Sequence, residues 1–184
     1  MTGWGLPETV CVGGLEYQIN ADYRDILEVI EYLQAPGMDD VTRRYVAMSL
    51  FYEGFDAISR SDYGEAMEEM LRFINLGEDP EDGMPQPKTI DWEQDRTIIA
   101  SEVNKVAGLD VRGLKFLHWW TFMGFFGAIG EGQLSMLVSI REKRRKGKKL
   151  EDWERDYYRR NVHRVEFRKK YTEAEEAIAD AWGI

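Results

Sequence analysis

The 184-residue chain has one cysteine and two histidines, and each scarcity closes off a class of protein. Cys11 alone can form no internal disulfide, which excludes a disulfide-stapled secreted scaffold and fits a reducing compartment. It reads as an ordinary small strand residue. His118 and His163 are too few, and too far from Cys11 in sequence, for zinc ligation at the usual Cys/His spacing. The HExxH pattern, the phosphate-binding glycine loop, the dinucleotide fingerprint and the GxSxG elbow are missing too. No catalytic residue, cofactor-binding residue or metal ligand is assigned, and a non-enzymatic role is expected. The opening MTGWGLPETV lacks the basic-then-apolar pattern of an export signal. The most apolar run, Phe116 to Ile129, is shorter than the roughly 20 residues of a membrane helix and contains His118. A cytoplasmic protein without a membrane span is expected.

What is present argues for a folded chain. A hydrophobic content of 43%, with 12% aromatics and 32% charged residues, lies far from the signature of disorder, and the length suits a single domain over 1–184. The net charge of -10 is unevenly spread. Residues 1–90 hold 18 acids and 6 bases, whereas 141–170 hold 14 bases and 6 acids. Such a two-ended chain suits head-to-tail self-association, a charged partner, or two solvated faces.

Periodicity predicts a mainly α (α+β) fold: a multi-helix globular domain with a short N-terminal β-hairpin at 8–19. Glu8 to Val12 and Leu15 to Ile19 flank Gly13-Gly14, a pair that tolerates the positive φ of a tight turn. Asn20 or Asp22 then caps a helix with Ile26, Leu27, Ile30 and Leu33 on one face, ended by Pro36-Gly37. A second helix starts at Asp39 or Asp40, presents Val41, Tyr45, Met48 and Tyr52, and stops at Gly54. A third, from Asp62 to Leu76, carries Met67, Met70, Leu71 and Ile74 and closes at Gly77. The segment 77–88, GEDPEDGMPQPK, reads as an exposed acidic Pro/Gly loop between helical halves. Asp91 and Gln94 then form a capping-box variant ahead of a helix that ends near Ala107 at Gly108. Leu114 to Ile129, if helical, has only Lys115, His118 and Thr121 as a polar seam and must be buried on nearly all sides. A helix from Gln133 to about Lys146 turns from apolar to basic, and a last one spans Leu150 to about Trp182. In the latter, Trp153, Tyr157, Tyr158, Val162 and Val165 are spaced to face the core.

Two clusters are candidate sites. Trp119, Trp120, Phe122, Phe125 and Phe126 form either core or a self-association or client-binding surface, since each large aromatic buries about 150–250 Å² against whatever covers it. Arg141, Lys143, Arg144, Arg145, Lys146, Lys148 and Lys149 form a candidate basic patch. It is a nucleic-acid surface in composition, but a pI near 4.8 weighs against phosphate binding and favours a solvated helix end or an acidic protein partner. The acids Glu78, Asp79, Glu81 and Asp82 lack the alternation of a calcium loop and read as solvated. His118 reads either as a switch or ligand or as a hydrogen-bonded residue at a packing seam.

The stretch TIDWEQDRTIIASEVNKVAGLDVRGLKFLHWWTFMGFFGAIGEG resembles the phage gene-product-fifteen family. Asp91, Asp95, Leu109, Asp110, Leu117, His118, Trp119, Trp120 and Phe122 match its pattern, with Thr121 and Gly124 as departures, and LEYQINADYRDILEVI looks like its opening. The resemblance implies a bacteriophage or prophage tail-region protein, encoded between the major tail protein and the tape measure protein, where tail assembly chaperones are encoded. The expected function is accordingly to bind the tape measure or another tail protein in the host cytoplasm, as a self-associating oligomer. A structural component of the tail or head-tail junction, and a nucleic-acid-binding accessory protein, are the alternatives.

Overall fold

A computed structural model describes residues 4–79 and 87–168. They fall into two compact units, one of residues 4–79 with 116–122 and one of 87–115 with 123–168. The fold is mainly helical with a short N-terminal hairpin.

In the first unit β1 (Thr9–Val12) pairs antiparallel with β2 (Leu15–Gln18), Val12 opposite Leu15. Gly13 and Gly14 have φ of 58° and 79°, so both turn positions need the left-handed region that glycine enters freely. Val10 and Val12 point inward while Cys11 between them stays exposed. Of the two predicted caps for α1 (Tyr23–Leu33), Asp22 takes the role, accepting from the Arg24 amide at 2.9 Å. Asn20 instead donates to the Leu50 carbonyl at 2.7 Å. Asp39 caps α2 (Asp40–Phe51) by accepting from the Val41 and Thr42 amides, both at 3.0 Å.

Half of the predicted inward face of α2 is found: Met48 and Tyr52 are buried. Val41 is 78% exposed and Tyr45 is also exposed, whereas Ala47, Met48 and Phe51 are buried. Packing against α1 turns Ala47 and Phe51 inward beside Met48, and leaves the first two turns of the predicted stripe outside. Ile26, Val29 and Phe51 have no exposed surface, each contributing about 1.5–3 kcal/mol through burial.

The next helix, α3 (Tyr63–Ile74), buries Ala66, Met70 and Phe73. Its end is a Schellman closure: the Leu76 amide donates to the Phe73 carbonyl at 3.1 Å and the Gly77 amide to the Arg72 carbonyl at 2.8 Å. The left-handed position therefore begins at Leu76, φ 62°, one residue before the predicted Gly77.

Tyr52, at the C-cap of α2, is buried and donates its hydroxyl to the Ala66 carbonyl at 2.7 Å. Burial first, and then the charges of Glu69 and Glu65, push its phenol well above the usual tyrosine value. A folded-state pKa raised in this way contributes stability that is complete below about pH 10 and is lost as the pH climbs through the folded value. Alkaline difference spectroscopy near 295 nm should therefore show exposed tyrosines ionising first, with the Tyr52 step coinciding with loss of the fold.

The second unit opens with a turn. Asp91 accepts from the amides of Glu93 at 3.1 Å and Gln94 at 2.7 Å, but α4 (Arg96–Ala107) begins only afterwards, and Gln94 does not complete the predicted capping box. Its side chain reaches the carbonyls of Arg164 and Glu166 instead, at 3.2 and 2.8 Å. Gly108, φ 72°, ends α4 as predicted. α5 (Trp119–Gly127) starts in the 116–122 segment of the first unit, and α6 (Gln133–Arg145) follows. Gly132 precedes α6 because a Cβ there would come within 2.9 Å of the buried Glu102 carboxylate, which accepts from the Gln133 amide.

The predicted long final helix is broken into α7 (Asp152–Arg160) and α8 (Val162–Val165) at Asn161, whose φ of -132° is not helical. Trp153 and Val162 are exposed, against expectation, while Tyr157, Tyr158 and Val165 pack with Leu137 and Ile140 of α6. The predicted continuation past 168 lies outside the described residues, as does 80–86 of the acidic loop, including Glu81 and Asp82. The described loop ends, Gly77 to Asp79 and Pro87 to Lys88, are exposed.

Candidate interaction surface

The Leu-His-Trp-Trp segment is a clamp. The Leu117 amide donates to Asp22 Oδ2 at 2.9 Å, the Tyr23 amide to the Leu117 carbonyl at 2.9 Å and the Trp119 amide to the Ala21 carbonyl at 2.8 Å. Residues 117–119 thus lie as a short bridge along the start of α1. Trp119 and Trp120 donate their indole N–H groups to the carbonyls of Ile74 and Phe73, both at 2.9 Å. Both carbonyls are among the last four of α3: that of Ile74 takes its bond from Trp119, and that of Phe73 takes a second bond, from Trp120, beside the one from the Leu76 amide.

His118 is a hydrogen-bonded residue at a packing seam, the second of its two readings. The Trp120 amide donates to Nδ1 at 3.1 Å, which makes that nitrogen an acceptor, and Nε2 then carries the hydrogen and donates to the Pro7 carbonyl at 3.0 Å. The imidazole is buried and caps the first turn of α5. The expectation that the aromatic segment is buried on nearly all sides is corrected: Trp119 and Phe122 are buried, Trp120, Phe125 and Phe126 are half-buried, and Gly124 and Gly127 are exposed. Phe122 stacks on Tyr23 with ring centres 4.5 Å apart, and Phe126 meets Trp92 at 5.0 Å.

A family model for the Bacteriophage Gp15 protein matches residues 5–167 of this sequence. The chain belongs to that family. Neither a curated protein nor a solved structure matches it. Within this member of the Gp15 family, the residues that carry the resemblance divide by location. Leu117, His118, Trp119 and Phe122 build the interior of the first unit, and Asp91 and Asp95 order the start of α4. Asp110 holds the turn after α4: Arg112 first, and the amide and Asn104 bonds after it, keep its carboxyl well below the usual carboxylate range.

Around the clamp an apolar rim stays open. Phe116 is 57% exposed, with its ring centre 6.5 Å from that of His118, which lies 6.3 Å from that of the half-buried Trp120. On the far side of Trp120, Gly77 is packed so closely that a Cβ would fall 3.2 Å from the indole. Next to it the exposed Leu76 is held in the left-handed region, a conformation that costs an L-residue roughly 1–2 kcal/mol. Exchanging Leu76 for asparagine, which tolerates that conformation, should raise stability by about 1 kcal/mol in urea denaturation. The same exchange removes an apolar group from the rim, so stability and partner binding should move in opposite directions.

Of the basic run, Arg141 is buried and Lys143 half-buried, while Arg144, Arg145, Lys146, Lys148 and Lys149 are exposed. Arg141 is buried, 6% exposed, and its Nη1 and Nη2 engage Asp95, 2% exposed, at 2.6 and 2.9 Å. Its remaining donors reach the carbonyls of Val165, Thr89 and Arg164 at 2.9, 3.0 and 2.7 Å, so all five guanidinium N–H groups are used. Lys143 pairs with the buried Glu154 at 2.6 Å. Burial raises the pKa of that carboxyl, but the hydrogen bonds from Lys143 and the Glu151 amide outweigh it and leave Glu154 below the usual range. Arg144 stacks on Tyr158 and pairs with Glu166, and both Arg145 and Lys146 pair with Glu142. Lys148 and Lys149 are exposed on the turn before α7. No group of His, Cys, Asp and Glu able to hold a metal ion occurs among the described residues, and none of their helices is long and apolar enough to cross a membrane.

Proposed function

We propose that this chain is a tail assembly chaperone-like protein of the phage, which binds the tape measure protein and keeps it soluble while the tail is built. The observation that carries the reading is the open apolar rim of Phe116, Trp120 and Leu76 on a rigid clamp. A tape measure chain is long, helical and apolar, and a rim of this kind covers apolar stripes on a helix without requiring the carrier to refold. The acidic character of residues 1–90 favours solubility of the complex. The role is non-enzymatic, needs no cofactor and is exercised in the host cytoplasm. The pairing of Arg141, Lys143, Arg144, Arg145 and Lys146 with carboxylates leaves less charge for phosphate and supports a protein partner over nucleic acid.

Co-expression with the tape measure protein of the same phage tests the reading. The client should become soluble and co-purify at moderate salt, and F116S should lose most of that effect while leaving the carrier folded. A client that stays insoluble beside a folded carrier would sink the proposal. Recovery of the chain as a stoichiometric part of purified virions would favour a structural component instead.

A further inference from the structure

In the second unit a cavity of about 380 Å³ lies between α6, Pro87 with Lys88, and the residues that follow α8. Among the described residues its lining carries four cations, Lys88, Arg141, Arg144 and Arg145, against the one carboxylate of Glu166, and its apolar walls are Pro87, Val165 and Phe167. Arg141 belongs to the framework, since Asp95 takes both its terminal nitrogens and its guanidinium lies 4.3 Å from the centre of the Phe167 ring. The other three cations reach solvent: the side chains of Lys88, Arg144 and Arg145 are 42%, 39% and 41% exposed. Each of them pairs with a carboxylate that has a second donor. Asp91, bound by Lys88, also accepts from the Glu93 and Gln94 amides. Glu166, bound by Arg144, also accepts from the Tyr158 hydroxyl at 2.9 Å. Glu142, bound by Arg145, is also bound by Lys146, which comes ahead of Arg145 in holding that carboxyl below the usual range. All three cations can therefore turn to an incoming anion without stranding a carboxylate, and ion pairs this exposed hold them only weakly.

We propose that this cavity binds an acidic peptide segment of a protein partner, an aspartate or glutamate carboxylate being taken by Lys88, Arg144 and Arg145 and its apolar neighbour by Pro87, Val165 and Phe167. The volume is that of a small-ligand site and exceeds what a lone carboxylate fills, so the apolar walls take part in binding. Two planar guanidinium groups suit a carboxylate, and the stacking of Arg144 on Tyr158, 4.0 Å from the ring centre, orients one of them in advance. Glu166 stays on the lining, where it repels a doubly charged phosphate more than a singly charged carboxylate. The cavity belongs to the other unit from the apolar rim of Phe116 and Trp120, and failure here leaves the chaperone reading standing.

Titration of the isotope-labelled full-length chain with acetyl-Leu-Glu-Leu-amide, followed by nuclear magnetic resonance, tests the site. The guanidinium signals of Arg144 and Arg145 and the amide signals of Lys88, Val165 and Phe167 should shift together and approach saturation by about 10 mM peptide. Acetyl-Leu-Gln-Leu-amide should bind at least about tenfold more weakly to the same protein. The acidic peptide should lose at least about tenfold in affinity for R144Q with R145Q, which alters only exposed groups and should keep the wild-type circular dichroism. No shift up to about 10 mM, equal binding of the two peptides, or undiminished binding to the double variant would each overturn the proposal. Inorganic phosphate or a single-stranded oligonucleotide that moves the same signals at lower concentration than the acidic peptide would overturn it in favour of a phosphate ligand.

Discussion

Replacing Arg141 with alanine is expected to remove about 3–5 kcal/mol of stability, because it strands Asp95 as an uncompensated charge in the interior. The same change also leaves the carbonyls of Val165, Thr89 and Arg164 without their donors. Lysine should not rescue the site: its three donors on a flexible stem cannot reproduce a planar fork that meets both carboxylate oxygens and three carbonyls. Removing both charges, as in R141M with D95L, should destabilise less than R141A alone, since the penalty arises from the orphaned partner more than from the loss of attraction. Urea denaturation followed by far-ultraviolet circular dichroism measures all three. A solvated Arg141 would instead change stability by no more than about 0.5 kcal/mol, so a small loss in R141A would remove the buried pair from the account.

In the other unit the largest effect is expected at Trp119. Truncation to alanine empties a fully buried site against Phe122 and the end of α3, and should cost about 3–5 kcal/mol. Phenylalanine retains part of the packing but leaves the Ile74 carbonyl unpaired in the interior, for a loss of about 1–3 kcal/mol on that account. Phe116, adjacent in sequence to the clamp yet exposed, serves as the control: F116S should change stability by no more than about 0.5 kcal/mol. Near-ultraviolet circular dichroism and tryptophan fluorescence during urea unfolding separate the three cases. If W119A and F116S lose equal amounts of stability, the aromatic segment is not organised as described.

These two sites also mark where sequence reasoning reached its limit. Signals that act within a few residues were legible: Gly13-Gly14 for the hairpin, Asp39 for the start of α2, Gly108 for the end of α4. Each works through local φ preference or a nearby amide. The partner of Arg141 lies 46 residues away, so nothing in the run REKRRKGKK separates its first member from the solvated lysines that follow. His118 looked like part of a polar seam on a helix, yet it precedes α5 and spends its two nitrogens on the Trp120 amide and on Pro7, 111 residues distant. The face of α2 was legible in Met48 and Tyr52 but not in Val41 and Tyr45, which share their helical spacing and yet stay exposed, because only the neighbouring helix decides how far along α2 the buried face runs. The family resemblance was visible in the Leu-His-Trp-Trp motif, whereas what its two indoles do in this chain, donating to the Ile74 and Phe73 carbonyls at the end of α3, needed three-dimensional proximity.

The bond from the Leu117 amide to Asp22 joins residues 95 positions apart. The first unit is therefore completed late in translation. Helices α1 to α3 leave the ribosome well before residues 116–122 are made, and all of 87–115 is synthesised in between. Until then the carbonyls of Phe73 and Ile74 lack their indole donors, and the buried faces of α1 and α3 lack Trp119 and Phe122. Contacts of such long sequence separation slow folding. A nascent chain arrested before Leu117 should accordingly remain protease-sensitive throughout α1 to α3, and acquire protection when the clamp emerges.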